Sequence, residues 1–489
     1  MSNQSHSPDR PLLLEQCFTS DAQAAFCRLS GDYNPIHADP VAARRMMAGG
    51  QVVHGIHQAL AALEAALSQQ RAGGQSIRHV TSLKAVFKIP VRVGDTVGFY
   101  LSACGNEGCE IECRAHGKPV SNISIGWKAG APVAQRVPPP LAAESAVELG
   151  FAEMEGMAGS LSLGLDESLA GAMFPAATSA LGPLGIAGVL GLSRLVGMHC
   201  PGLHSLFGDL AVTLGSAESG DRLHYRVCGT DERFAKVQME VNGPGIAGRL
   251  TAFLRPRPER QPGIEEVSTV VTPGSFSQSI ALIAGGSRGL GEITAKIIAA
   301  GGGLPIITYY QGADDAQRIG AEIRSAGARC EVLRLDVRSA AVEALPADPR
   351  SLYYFATPKI FGRRRNFFDY ELLRDFEEVY VVSFGRLIDR LIAGSAGKLK
   401  VFYPSSVAVD EPLRGLWEYA MAKRSGEELC DFYNRYSGQV EILIDRLPRI
   451  KTDQTSTLME VPAEDALQVM LPLVSRMETS IQESGAVPV

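Results

Sequence analysis

The sequence lacks the marks of several large protein classes. It has no paired Cys-x-x-Cys motif, and its 9 cysteines are scattered except for Cys104, Cys109 and Cys113. That cluster lies in a strand-like stretch with no histidine pair nearby, so no zinc site and reduced thiols are expected. No apolar run reaches the roughly 18–20 residues of a membrane span. The stretch Met1 to His6 lacks the charged and apolar regions of a secretory signal, so a cytoplasmic, membrane-free location is expected. Positive charge is not in excess. The formal net charge of -6 argues against nucleic acid as a partner and leaves anionic small molecules open.

The 489 residues exceed what one core needs, and usual domain sizes suggest about three domains. Apolar residues at 45% and charged residues at 20% are ordinary for a globular chain. Two proline-rich stretches read as linkers, because proline neither donates to a ladder nor continues a helix. One is Val137-Pro138-Pro139-Pro140. The other runs from Arg255 through Pro256, Pro258 and Pro262 to Gly263. The domains expected are 1–137, 145–257 and 278–480.

The first two segments share a rhythm of one apolar helix followed by alternating strands. In the first, the helix covers Ile56 to Gln70 and strands cover Thr81 to Val91 and Thr96 to Ser102. In the second, Ile186 to Val196 precedes strands near Leu206 to Leu214, Leu223 to Val227 and Ala235 to Val241. The third segment differs. Ile280 to Ala284 is a short apolar strand, followed by a glycine loop, a helix and the strand Leu304 to Tyr309. That is a βαβ unit, hence a parallel sheet.

The densest polar constellation runs from Ser30 through Asp32, Asn34, Pro35 and His37 to Asp39. Asn-Pro predicts a turn rather than a helix, so Asp32 and His37 can converge across it. A carboxylate and an imidazole facing one cavity can move one proton and hold one oxygen between them, which suits adding or removing water beside a thioester carbonyl. The spacing is equally consistent with a polar turn in which Asp32 caps the following segment.

Ser30-Gly-Asp-x-Asn-Pro-x-His-x-Asp39 resembles the motif of the MaoC-like, (R)-specific enoyl-thioester hydratases. Val52-Val-His-Gly55 and Phe87-Lys-Ile-Pro-Val-Arg-Val-Gly94-Asp95-Thr96 follow in the same order. The resemblance covers about the first hundred residues. It implies a hot-dog fold, with Asp32 and His37 as the catalytic pair and the backbone N–H of Gly55 polarising the thioester carbonyl. A helix N-terminus offers free donors and partial positive charge for that task. His54 and His57 are expected to be structural.

Residues from about 145 to 257 resemble a second hot-dog unit through the passage Leu192 to Leu206. It has no Asp-x4-His pair, and His199 and His204 are expected to be structural. The expected fold is thus an α+β double hot dog with one working site, its central helices held between two sheets, followed by an α/β Rossmann-type domain.

Ala284-Gly285-Gly286-Ser287-Arg288-Gly289-Leu290-Gly291 follows a strand and opens a helix, the context in which glycines let the backbone approach a pyrophosphate. The next strand ends at Tyr309 and Tyr310 without an acidic residue for a ribose 2′-hydroxyl. With Arg288 in the loop, NADPH is the cofactor expected. Asp336, beside Val337, falls where a third strand ends. Further on, Tyr419 and Lys423 lie four apart on a helix after the strand Lys400 to Tyr403 and the Pro404-Ser405-Ser406 bend. They share a face, and a nearby ammonium would lower the phenol for proton donation to a carbonyl.

These residues resemble the short-chain dehydrogenase/reductase family over about 200 residues from Ile280. The resemblance implies Tyr419 as acid/base, Lys423 as its modulator and Ser406 as the carbonyl-binding hydroxyl. It adds Ala356 to the cofactor site and places Pro448 to Thr452 on the nicotinamide loop. The sequence departs from that family at Phe355-Ala356-Thr357-Pro358, near Val382-Ser383, where an asparagine is missing, and at Arg449. The run Arg363-Arg364-Arg365 is either a solvated loop or a docking patch for an acidic carrier protein or coenzyme A phosphates.

The two activities are consecutive: reduction of a 3-oxoacyl thioester, then dehydration to a 2-enoyl thioester, in a fatty-acid-like or polyketide route. The same sites could run in the degradative direction, or one domain could be a scaffold. The carrier is coenzyme A or an acyl carrier protein, and a homodimer is expected.

Overall fold

The computed structural model describes residues 10–74, 78–132, 136–215, 220–339, 345–360, 368–394, 397–413, 415–457 and 461–484. Arg363, Arg364 and Arg365 lie outside them. The chain divides into two compact units at Arg257 and Pro258.

The first unit is one antiparallel sheet of ten strands wrapped on two long helices. Its strands are β1 (Leu12–Cys17), β2 (Arg78–Phe87), β3 (Thr96–Gly105), β4 (Gly108–Ala115), β5 (Lys118–Ala129), β6 (Ala158–Ser162), β7 (Ser205–Leu214), β8 (Arg222–Asp231), β9 (Lys236–Gly243) and β10 (Ile246–Leu254). Their order, β1-β3-β4-β5-β2-β7-β10-β9-β8-β6, contains one pattern twice: β1-β3-β4-β5-β2 and β6-β8-β9-β10-β7. The halves join where β2 pairs with β7, from Ser82 opposite Thr213 to Val86 opposite Asp209. The sheet is therefore continuous, not two separate sheets, because β2 and β7 satisfy each other's edge hydrogen bonds.

Each half contributes one core helix, Gly55–Ala72 and Pro175–Arg194. The second is apolar on every side and buried, as its composition demands. With the π-turn Leu195–His199 it is long and apolar enough to cross a membrane, but 89% of its apolar window is packed inside the unit. It breaks at Gly182, where φ is +71° ahead of Pro183. Glu64 on the first helix accepts from Ala176 N (3.1 Å) and Ala177 N (2.8 Å), satisfying open donors at the start of the second.

Three local readings need correction. Asn34-Pro35 does not open a plain turn: Pro35–Ala38 is a helical turn, with proline at its start and the Asn34 side chain accepting from Ile36 N. The strand expected to reach Val91 stops at Phe87, before Pro90. Arg255, taken as linker, is buried.

The second unit is a six-stranded parallel sheet: β11 (Ile280–Ala284), β12 (Leu304–Tyr309), β13 (Glu331–Arg334), β14 (Ser351–Tyr354), β15 (Leu399–Ser406) and β16 (Val440–Leu447). The order is β13-β12-β11-β14-β15-β16. One face packs helices Gly289–Ala300, Ala313–Ser325 and Ala466–Ser484, and the other packs Phe384–Ala393 and Trp417–Tyr436. The chain runs outward from β11 through β12 to β13 and then crosses back to β14 on the other side of β11, and this reversal opens a crevice at the carboxyl ends of β11 and β14. Pro404-Ser405-Ser406 is not a bend. It continues β15, with Ser406 opposite Leu447.

Candidate functional sites

In the first unit, Asp32 and His37 come together. A carboxylate oxygen of Asp32 and ring nitrogens of His37 and His54 lie within 4.8 Å of one another. Asp32 also accepts from Asn34 N at 3.2 Å, so the capping contact and the convergence coexist. Its other oxygen accepts from Ser193 Oγ at 2.8 Å.

His37 Nδ1 lies 2.6 Å from the Val52 carbonyl. A carbonyl only accepts, so Nδ1 carries the proton and Nε2 keeps its lone pair in the neutral ring. The ring stacks on His54, with centroids 3.8 Å apart. Gln23 Nε2 donates to Val52 O (2.9 Å) and faces His54 Nδ1 (3.1 Å). That fixes His54 as the Nε2–H tautomer, donating to Asp32 O at 3.1 Å. Both His54 nitrogens are thus engaged, and the trio offers no open metal set. His57 stacks on Phe26, with centroids 4.5 Å apart.

Burial raises Asp32 from the usual carboxylate range, opposed by His37, Ser193 and Asn34. Burial also lowers His37, against the pull of Asp32. The pair therefore favours a neutral imidazole near neutrality.

Both helices complete the cavity. Gly55 starts the first, and a Cβ there would meet the Phe87 ring at 2.8 Å. Gly197 lies in the π-turn of the second, where a Cβ would sit 2.2 Å from an Asp32 oxygen. Phe87 of β2 and Phe207 of β7 form an edge-on pair in the wall, centroids 5.5 Å apart. Asn34 Nδ2 reaches Gly197 O at 2.8 Å and Leu203 O at 3.2 Å. Gln23, Ser193 and Gly197 were not anticipated. His199 and His204 pair instead with Glu144 (2.8 Å) and Glu148 (3.0 Å).

In the second unit the glycine loop joins β11 to helix Gly289–Ala300. Gly285 has φ +82°, and a Cβ there would lie 2.9 Å from Ala356 N. A Cβ on Gly291 would lie 2.4 Å from Gly285 O. The loop is pinned by Gly286 N donating to Thr308 O at 2.9 Å. Ser287 is buried, Leu290 half-buried, and Gly289 (φ +56°) faces Thr452. Arg288 comes within 3.8 Å of Asp453, in the segment that follows β16 and Pro448. Tyr309 ends β12, while Asp336 accepts from Arg338 N and precedes half-buried Val337. These residues gather at the carboxyl ends of β11, β12 and β13.

Ser406 ends β15, and Tyr419 and Lys423 lie on helix Trp417–Tyr436. Ser406 Oγ accepts from Ala408 N at 3.2 Å, and burial, opposed by Ser406, pushes Tyr419 up to about 12. The lowering expected from Lys423 is not seen. The ammonium instead donates to Pro404 O at 2.6 Å, over the rings of Tyr380 (3.9 Å) and Tyr403 (4.8 Å). Tyr380 hydrogen-bonds Thr357, within the segment that departs from the reductase pattern.

Residues 3–122 match the MaoC like domain family. An (R)-specific enoyl-CoA hydratase of Aeromonas caviae is 41% identical over 98 residues, covering 20% of this chain and 70% of that protein. A probable dehydratase of Ajellomyces capsulatus is 38% identical over 89 residues, covering 18% of this chain. The chain spans 23% of the length of that second relative. Among solved structures, an angucycline C-6 ketoreductase with bound NADP is similar at 15% identity and a TM-score of 0.38, covering 44% of this chain and 93% of its own. A dehydrogenase/reductase from Sinorhizobium meliloti is similar at 20% identity and a TM-score of 0.36, covering 44% and 92%.

Proposed function

The chain belongs, through its N-terminal residues, to the MaoC-like dehydratase family, and from that premise we propose a bifunctional enzyme that reduces a 3-oxoacyl thioester with NADPH and dehydrates the resulting 3-hydroxyacyl thioester. The convergence of Asp32 and His37 in one cavity, beside the Gly55 helix start, carries the reading.

In dehydration the neutral His37 Nε2 accepts the proton from the carbon next to the carbonyl. Electrons move to the thioester oxygen, which the Gly55 N–H stabilises. Their return expels the 3-hydroxyl, protonated within the Asp32–His37 pair, as water. Residues 1–137 and 145–257 are read as a double hot dog. The repeated strand order supports this, and so does the supply of Ser193 and Gly197 by the second half.

Residues 278–480 are read as a Rossmann-type ketoreductase. The glycine cradle supports this: a Cβ at Gly285 or Gly291 would meet backbone at 2.9 or 2.4 Å, and Gly289 holds φ +56°. Arg288, Tyr309, Asp336, Val337, Ala356, Pro448 and Thr452 would surround a dinucleotide. When bound, NADPH would supply hydride to the 3-oxo carbon. Tyr419 would protonate the oxygen while Ser406 holds it, with Lys423 nearby. An acyl carrier protein or coenzyme A would carry the substrate.

The commitment of the Lys423 ammonium to the Pro404 carbonyl and to the Tyr380 and Tyr403 rings favours a second reading, in which the reductase unit is a scaffold. Incubation with a 3-oxoacyl thioester and NADPH separates them. Enoyl product from the wild type, hydroxyacyl product from His37→Asn and no reduction by Tyr419→Phe are expected. NADPH binding without oxidation would sink the reductase half. Oxidation without any enoyl product would sink the dehydratase half.

A further inference from the structure

The largest fully buried side chain among the described residues is charged. Arg255 is 1% exposed and follows β10, in the stretch whose prolines suggest a linker. Its backbone N–H donates to His204 O at 2.7 Å, and Nη2 donates to Leu203 O at 2.5 Å. Nε and Nη1 are buried with no hydrogen-bond partner among the described residues. A charge so placed is weakly screened and reaches further than one in water.

Its neighbours are the proposed acid–base machinery. Leu203 O also accepts from Asn34 Nδ2 at 3.2 Å, so a single carbonyl separates the guanidinium from the loop carrying Asp32 and His37. Burial is the main force against protonation of His37 and His204, and the Arg255 charge adds to it in both. Several groups face His37. Asp32 favours its charged form, the stacked His54 is neutral, and Lys88 lines the same cavity. His199 acts on Asp32 from the second half. Glu148, the carboxylate on this side, is taken by His204 and by Arg257 at 3.1 Å.

We propose that Arg255 is a positioning residue of the Asp32–His37 site, tying Leu203 and Asn34 together and adding its charge to the burial that keeps His37 a neutral, proton-accepting imidazole. This rests on the dehydratase reading of that site. Its consequence is a site that keeps its base at lower pH than an isolated imidazole would.

The test follows His37 directly, by NMR titration of its ring in the full-length chain, with His37→Asn to assign the signal. Hydration of a short 2-enoyl-CoA is measured across the same pH range. Wild-type His37 should titrate below the ordinary value of about 6.5. Arg255→Gln, which retains an amide donor but no charge, should raise that midpoint. The acid limb of kcat/KM should move with it, with a loss of rate below the limb. Arg255→Lys should leave both in place. A wild-type midpoint at or above the ordinary value overturns the inference without any variant. So does an unchanged midpoint in a folded Arg255→Gln. If the midpoint moves but wild-type protein hydrates nothing, the dehydratase reading fails and the charge relationship stands.

Discussion

Ser193 and Asp32 lie 161 residues apart in sequence and 2.8 Å apart in the fold, with the serine hydroxyl donating to the buried carboxylate. The two halves of the first unit therefore share one charged group. The second half has no Asp-x4-His motif like the first half's, yet its Ser193 hydroxyl holds the first half's carboxylate and favours its ionised form.

Substitution at this contact tests that dependence. A hydrogen bond to a charged group is worth about 1.5–3 kcal/mol, so Ser193→Ala should lower hydration of an enoyl thioester on the order of tenfold or more. It should also raise the Asp32 midpoint, because the lost hydrogen bond favoured the ionised form. Gly197→Ala should be more severe, since the new methyl would stand 2.2 Å from the Asp32 oxygen. Circular dichroism and melting curves should show both variants folded. Wild-type rates in a folded Gly197→Ala would mean that Asp32 is not held where the reaction needs it.

How much of this site was legible depends on where its partners come from. Asp32, Asn34 and His37 fall within six residues, so local spacing reveals them. Gly55 is legible through the resemblance of Val52-Val-His-Gly55 to the hydratase motif. Ser193, Gly197 and Gln23 are not, since each acquires meaning only through packing of distant segments. Arg255 was obscured by Pro256, whose linker signal is real but begins one residue later. The parallel sheet was legible from Ile280–Ala284 and Leu304–Tyr309, both short apolar strands around a glycine loop. The direction of Lys423 was not: helical spacing fixes a face, while Tyr380 and Pro404, from other elements, decide where the ammonium points.

The glycine cradle yields a prediction independent of the first unit. Gly291→Ala places a Cβ 2.4 Å from Gly285 O, in the tightest part of the loop. The loop must open, and NADPH affinity, read by fluorescence titration, should fall by about tenfold or more. Gly438→Ala is the control, because its added Cβ meets nothing within 4 Å. Hydration by the first unit should be unaffected by either change. Equal NADPH affinity in Gly291→Ala and Gly438→Ala would remove the loop from the cofactor site.

Lys423 should also leave a signature in stability. Burial pulls its ammonium down to about 7 in the fold, opposed by Cys430 and Glu427, whereas an unfolded lysine titrates near about 10.4. Between those values the unfolded chain binds more protons, so this residue makes stability rise with pH. Below about 7 both states are charged and the burial penalty is full; above about 10.4 both are neutral and it vanishes. Lys423→Met should therefore raise the melting temperature of cofactor-free protein relative to wild type more at pH 6.5 than at pH 9.5. Comparing the two pH values cancels the packing change, which is common to both. The same difference at both would mean that the Lys423 ammonium keeps its ordinary proton affinity, stabilised by the Tyr380 and Tyr403 rings and the Pro404 carbonyl as well as water would stabilise it.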